Sequence, residues 1–373
     1  MMQIARNELR KILSVLPNVT LFDTQQGSAE LSDAIFICTL GFEPRALSVP
    51  RQLRDIGYRA NRSILLQYST NSDDNSANSE EMLGCLRHIS DRLDPLQIED
   101  PDFTKRLKNI VQSAIRGNTC GDAPRVTLDI SAASNQAILR SMKGLLEADI
   151  QLRILYSEAD IYHPTKQEYE SDFQRWSEDI SLGLARGVSE VTPSTDYPGQ
   201  HFDPRPDCVV LFPTFKAERS RAVISRIDPS LLMAPGNKVL WILGTPHLNN
   251  DLWRTEAMRK INKIPASAPQ YEVSTFDYKN TLEVLEKIYL ERWERFNITI
   301  SPLGSKLQAL GLSLFCYLHW DVRIMFARPL EYNAALYSEG YRSIWKVDMK
   351  SIAFLRSLLD SVGKLAVADA GAA

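Results

Sequence analysis

VTLDISAASNQAILRSM (residues 126–142) and FNITISPLGSKLQALGL (residues 296–312) decide the fold, because each runs an apolar strand into a short polar loop and then into an apolar helix. Slid together at a constant offset of 170, residues 126–162 and 296–332 place Ile130 on Ile300, Ser131 on Ser301, Arg153 on Arg323, Ile154 on Ile324 and Tyr162 on Tyr332. An offset of 174 lays Asp33 and Arg45 over Asp207 and Arg219, with the apolar runs Ala34–Cys38 and Cys208–Phe212 in register between them. Identities are few, so the reading of an internal duplication rests on the pattern of apolar runs. A polar loop that recurs at the same place in both halves is a candidate ligand site, presented twice.

The first half predicts strands at Ala34–Leu40, Ser63–Tyr68, Leu96–Glu99, Val126–Ile130 and Leu152–Tyr156, with helices over 45–56, from about Glu80, over Phe103–Arg116 and over Ser134–Ala148. The second predicts strands at Cys208–Phe212, Lys238–Leu243, Tyr271–Thr275, Ile298–Ile300 and Val322–Phe326, with helices between them. Strands that are apolar nearly throughout and alternate with helices imply an α/β fold of parallel sheets covered on both faces, here two tandem Rossmann-like domains. The expected boundaries are 1–190 for the first domain, including an N-terminal helix and a helical extension over 166–186, then a Pro- and Ser-rich linker over 191–206, a second domain over 207–330, and a strand and helix over 331–373.

A chain of 373 residues fits two such cores, and a net charge of −3 gives no general attraction for polyanions, so the chain is not expected to bind DNA or RNA directly. The apolar runs are strand-length, far short of a membrane span, and the N-terminus lacks a secretory pattern, which together predict a cytoplasmic protein. Cys38, Cys85, Cys120, Cys208 and Cys316 include no C-x-x-C pair and read as buried free thiols. The five histidines show no metal spacing, and neither a metal nor a cofactor is expected.

In open parallel sheets ligands bind outside the carboxyl ends of the strands, where helix starts offer free N–H groups. Four loops meet that description: GFEPR with Gly41, Glu43 and Arg45; TFKAER with Lys216 and Arg219; SAASN with Ser131, Ser134 and Asn135; and SPLGSK with Ser301, Gly304, Ser305 and Lys306. Gly304 would let a ligand approach the backbone, and Lys306 in the first helical turn opposes the dipole unless an anion is present. By the offset, Asp129 stands where Thr299 does and Asn135 where Ser305 does. Plainer readings stand beside these: Ser131 and Ser301 as helix caps, Arg45 and Arg219 as surface charges, and Asn71, Asn75, Asn249 and Asn250 as turn residues. Walker A, G-x-G-x-x-G after a strand, H-E-x-x-H and nucleophile-elbow patterns are all absent from the sequence.

The string ITISPLGSKLQALGLSLF (298–315) resembles the loop that ends the fourth strand of CRISPR-associated Rossmann-fold (CARF) domains, with Ser301, Gly304, Ser305 and Lys306 at matching positions. LDISAASNQAILRSM is similar in outline through Asp129 and Ser131, but carries Asn135 and Gln136 where that family has Thr and Lys, and Pro302 and Ala132 replace its first Gly. Two such units in one chain resemble the SAVED sensors of antiphage signalling. The resemblance implies a nucleotide second messenger as ligand, cyclic oligonucleotides included. The sequence reading is therefore a sensor that holds a nucleotide-type anion in a cleft between two sheets and signals to a separate effector or by self-assembly. Its rival is an enzyme that hydrolyses or transfers a nucleotide or nucleoside, cleavage of cyclic oligonucleotides included, using Asp129, Glu43 or His247 as acid or base; as a hydrolase it would be a metal-independent nucleotide hydrolase or phosphodiesterase. A third reading is an architectural subunit with both clefts empty.

Overall fold

The computed structural model describes residues 2–23, 32–69, 72–116, 123–171, 185–332 and 337–360. Asn71, Cys120, residues 172–184 of the expected extension helix and the C-terminal tail lie outside them. The described residues form two compact units: 14–162 with 337–360, here the first, and 163–332 with 2–13, here the second.

The first unit contains β1 (Thr20–Leu21), β2 (Ser32–Thr39), β3 (Arg59–Gln67), β4 (Leu93–Gln97), β5 (Arg125–Asp129), β6 (Gln151–Glu158) and β7 (Ile161–Tyr162). The second contains β8 (Ala185–Pro193), β9 (Asp207–Leu211), β10 (Val239–Thr245), β11 (Gln270–Ser274), β12 (Asn297–Ser301) and β13 (Arg323–Tyr332), and the chain then returns to the first unit with β14 (Ser338–Glu339) and β15 (Ser343–Ser351). The first sheet runs β1-β15-β6-β5-β2-β3-β4 and the second β11-β10-β9-β12-β13-β8. β2 to β6 are parallel, as are β9 to β13, so both sheets are α/β in the Rossmann manner and share one order in which the first strand lies between the second and the fourth. Central strands are buried on both faces, as in Ile35, Phe36, Ile37 and Cys38, because helices cover each side.

Each sheet also gains an antiparallel strand beside its fifth, taken from a different part of the chain. β15 pairs with β6, so the segment expected as a separate C-terminal extension completes the first sheet. β8 pairs with β13, placing a strand across the expected boundary between the extension helix and the linker. Its pattern is hard to read because the register shifts at Arg328/Pro329, leaving Ser189 extra between Glu190 and Val188. Val188 and Val191 then pack on the same core despite being three apart.

Strand pairing also corrects the alignment of the halves. Thr127 pairs with Arg153, and Thr299 with Arg323. Asp129 therefore corresponds to Ser301, each the last residue of its strand, and not to Thr299. Ser134 and Ser305 are the N-caps of helices Asn135–Leu146 and Lys306–Leu318, so Asn135 corresponds to Lys306. The first half has one residue more before the cap and one more after it, which a gapless offset cannot show. Phe36 faces Thr127 as Val209 faces Thr299, which sets Glu43 opposite Lys216 and Arg45 opposite Glu218. Glu43 and Lys216 are both N-caps, so the two units carry a charge-inverted pair at one place.

Candidate functional site

At the carboxyl ends of its strands the first unit is wired to itself. Pro44 opens a 3-10 turn, Pro44–Leu47, that points Arg45 inward. Its Nε donates to Glu43 Oε2 at 2.8 Å, a second guanidinium nitrogen sits 2.6 Å from the same oxygen, and Nη1 donates to the Tyr162 hydroxyl at 3.2 Å. The Tyr162 and Tyr156 hydroxyls are 2.8 Å apart, and Ser338 Oγ donates to Glu43 Oε2 at 2.6 Å. Burial opposes the charge on Arg45, but Glu43 and the tyrosines around it raise its pKa and keep the guanidinium ionised. Asn78 ties the turn down by donating to the carbonyls of Gly41 and Glu43.

Asp129 accepts the Ser131 N–H at 2.9 Å and the Ser131 hydroxyl at 2.5 Å, and Ser131 Oγ accepts the Ser157 N–H at 2.8 Å. Ser134 caps its helix through Ala137, while its own N–H donates to the Tyr68 hydroxyl at 2.6 Å. A Cβ on Gly41 would stand 2.8 Å from the Cβ of Ala132, so Gly41 is required by contact between the loops after β2 and β5. Asn135 is half-buried at the first helical position. The sequence thus brings Glu43 with Arg45 and Asp129 with Ser131, in bonds internal to the fold.

The second unit differs. Arg219 is committed to the Ala327 carbonyl of β13, at 3.1 and 2.7 Å, and Lys216 is the buried N-cap of helix Ala217–Ile227. Ser305 and Gln308 form a capping box, and Ser305 Oγ donates to the Thr275 carbonyl at 2.6 Å. A Cβ on Gly304 would fall 2.3 Å from Gln308 Oε1 and 3.0 Å from Phe212, so the space beside Gly304 belongs to the cap and the neighbouring loop, in place of the ligand approach expected for it. Lys306 is half-buried at the helix start. His247 is exposed, its ring 4.1 Å from that of Phe276, in the loops after β10 and β11.

Several oxygens here lack hydrogen-bond partners. Thr299 and Ser301 are 0% exposed, and neither hydroxyl is paired. By register they share a sheet face with Val209 and Leu211, which Val223 and Ile224 of helix Ala217–Ile227 cover. Ser220, one turn earlier on that helix, is buried and unpaired too, as is Oε1 of Glu218. No sequence signal marked Ser220 or Thr299, because an unpaired hydroxyl is a fact of packing. Tyr68 and Asn78 were also missed, since only tertiary contact shows a loop side chain tying down a neighbouring loop.

Among the described residues no group of three His, Cys, Asp or Glu is placed to hold a metal ion, and no helix is long and apolar enough to cross a membrane. Cys38, Cys85, Cys208 and Cys316 are buried thiols, with burial pushing the Cys208 thiol up to about 12. His319 Nε2 lies 2.7 Å from Glu286 Oε1 inside the fold.

No family model and no curated protein matches the chain. Among solved structures, it is similar to a Type III CRISPR defence DNA nuclease activated by cyclic oligoadenylate, with a TM-score of 0.42 and 10% identity over 78% of this chain and 65% of the nuclease. The chain thus spans less than two thirds of that protein's length. It is also similar to the cytoplasmic domain of a prokaryotic cation chloride cotransporter, with a TM-score of 0.23 and 10% identity over 82% of this chain and 99% of that one. With TM-scores under 0.5, neither bears on what this chain binds or does.

Proposed function

We propose that this chain is a binding protein for a nucleotide-type phosphate ligand, received at the strand ends of the second unit, with occupancy passed to a separate effector or to another copy of the chain. The observation that carries the reading is the set of buried, unpaired hydroxyls of Thr299, Ser301 and Ser220; the first unit pairs Thr127 and Asp129 at the positions matching Thr299 and Ser301, while its own unpaired buried hydroxyls among the described residues are those of Thr39, Ser141 and Ser157. An unpaired buried polar group costs about 1–3 kcal/mol, which a ligand or ordered water that completes it offsets. Lys306 adds a cation at a helix start, a placement that an anion renders favourable. The match of Ser301, Gly304, Ser305 and Lys306 to the CARF loop supports a nucleotide second messenger, and with it a place in antiphage signalling. The hydrolase alternative draws no support from Asp129 or Glu43, whose carboxylates are held by Ser131 and by Arg45 with Ser338.

Calorimetric titration with linear and cyclic nucleotides tests the proposal. A ligand of the wild type should bind Lys306→Ala roughly tenfold to a hundredfold more weakly, the worth of a charge-assisted contact. Equal affinities would remove Lys306, and with it the second-unit site, from the account.

A further inference from the structure

The short helix Lys166–Ser171 has no buried residue, and its bonds are largely local: His163 Nδ1 lies 2.9 Å from Glu168, and the Thr165 N–H donates to the same carboxylate. Tyr169 ties it to the body of the second unit. Its ring stacks on Trp253 at 5.2 Å between centroids and 30° between planes, meets Phe215 edge-on at 6.3 Å, and packs over Ala217 and Ile261. Arg254 assists, donating to the Pro164 carbonyl at 2.9 Å. Phe215 lies in the loop after β9, and Trp253 opens the helix after β10, so the stack stands at the ligand end of the parallel sheet. The Phe215 and Trp253 rings are 5.9 Å apart, and the Arg254 guanidinium lies 5.0 Å from the Trp253 centroid and 5.6 Å from that of Phe215.

One ring stacked on the face of Tyr169, a second meeting it edge-on and a cation lying over both of those rings form an arrangement that can receive a nucleobase. Helix Lys166–Ser171, which has no buried residue of its own although Pro164 before it is buried, belongs to the low-stability end of the fold. We propose that the Phe215–Trp253–Arg254 corner is an aromatic-base site, that Tyr169 occupies it in this state, and that a ligand carrying a planar heterocycle enters by displacing segment 163–171. The inference rests on reading the second unit as a nucleotide binder, and assigns the base end of that ligand.

Equilibrium dialysis of the full chain against adenosine, and separately against ribose 5-phosphate, tests the two ends apart. Tyr169→Ala should bind adenosine about tenfold or more tightly than wild type, because the self-occupied fraction no longer reduces apparent affinity. Adding Trp253→Ala should abolish the gain, and ribose 5-phosphate should bind wild type and Tyr169→Ala alike. Tyr169→Leu, which keeps an apolar contact with Ala217 and Ile261 but offers no ring to stack, should reproduce the gain in a protein shown by its melting curve to be folded. Adenosine binding that is absent, equal or weaker in both Tyr169 variants, or a gain that survives Trp253→Ala, overturns the site. Ribose 5-phosphate failing to bind while adenosine behaves as expected overturns the phosphate reading and leaves this site standing.

Discussion

Asp129 and Ser301 close equivalent strands, yet the carboxylate is doubly satisfied by Ser131 and the hydroxyl has no partner. Ser301→Ala should therefore leave stability unchanged or raise it by about 1 kcal/mol, since it deletes an unsatisfied group, while ligand affinity falls about tenfold. Chemical denaturation and calorimetry on one preparation read both, and a stability loss with unaltered binding would make Ser301 structural. Arg45 presents the opposite case. Arg45→Ala strands Glu43 in a buried site and should cost about 3–5 kcal/mol, read as a lower urea midpoint, with no effect on ligand binding by the folded fraction. Little destabilisation with lost binding would return Arg45 to the ligand. The residue types at the strand ends were visible in the sequence, but not whether each faced a partner inside the fold: Glu43 reaches Ser338, almost three hundred positions away.

At the scale of elements, helix Lys306–Leu318 starts where its sequence says it should, because Ser305 and Gln308 satisfy each other's orphan groups. Ser305→Ala should lower stability by about 1 kcal/mol, and Gly304→Ala by about 1–3 kcal/mol through crowding of Gln308 and Phe212, each measured as a shift in thermal midpoint. A neutral Gly304→Ala would show that the loop has room and would reopen a ligand role for that glycine. The parallel strands were legible because burial on both faces writes a continuous apolar run, as in Cys208–Phe212. The antiparallel strand Ala185–Pro193 was not, since the bulge at Ser189 breaks the alternation that marks a strand. A slide without gaps likewise hid the single-residue differences around the Ser134 cap, and so matched Asp129 to the wrong partner.

At the scale of the molecule, the two units repeat one strand order but have divided their uses. Both hold buried unpaired hydroxyls, but the first spends its strand-end charges Glu43, Arg45 and Asp129 on internal bonds, and the second has a helix-start lysine and an aromatic corner. Asp129→Asn should accordingly leave ligand binding intact, whereas a hydrolase using Asp129 as base would lose roughly 10²–10⁴ in turnover. The most direct measurement is mass spectrometry of small molecules released on denaturing purified wild-type and Lys306→Ala protein, repeated after incubating native protein with the molecule recovered. The account predicts a phosphate-bearing nucleotide from the wild type, about tenfold or more depleted in the variant, and recovered chemically unchanged after incubation. Equal recovery from both proteins, or conversion of the nucleotide to a product, would contradict it.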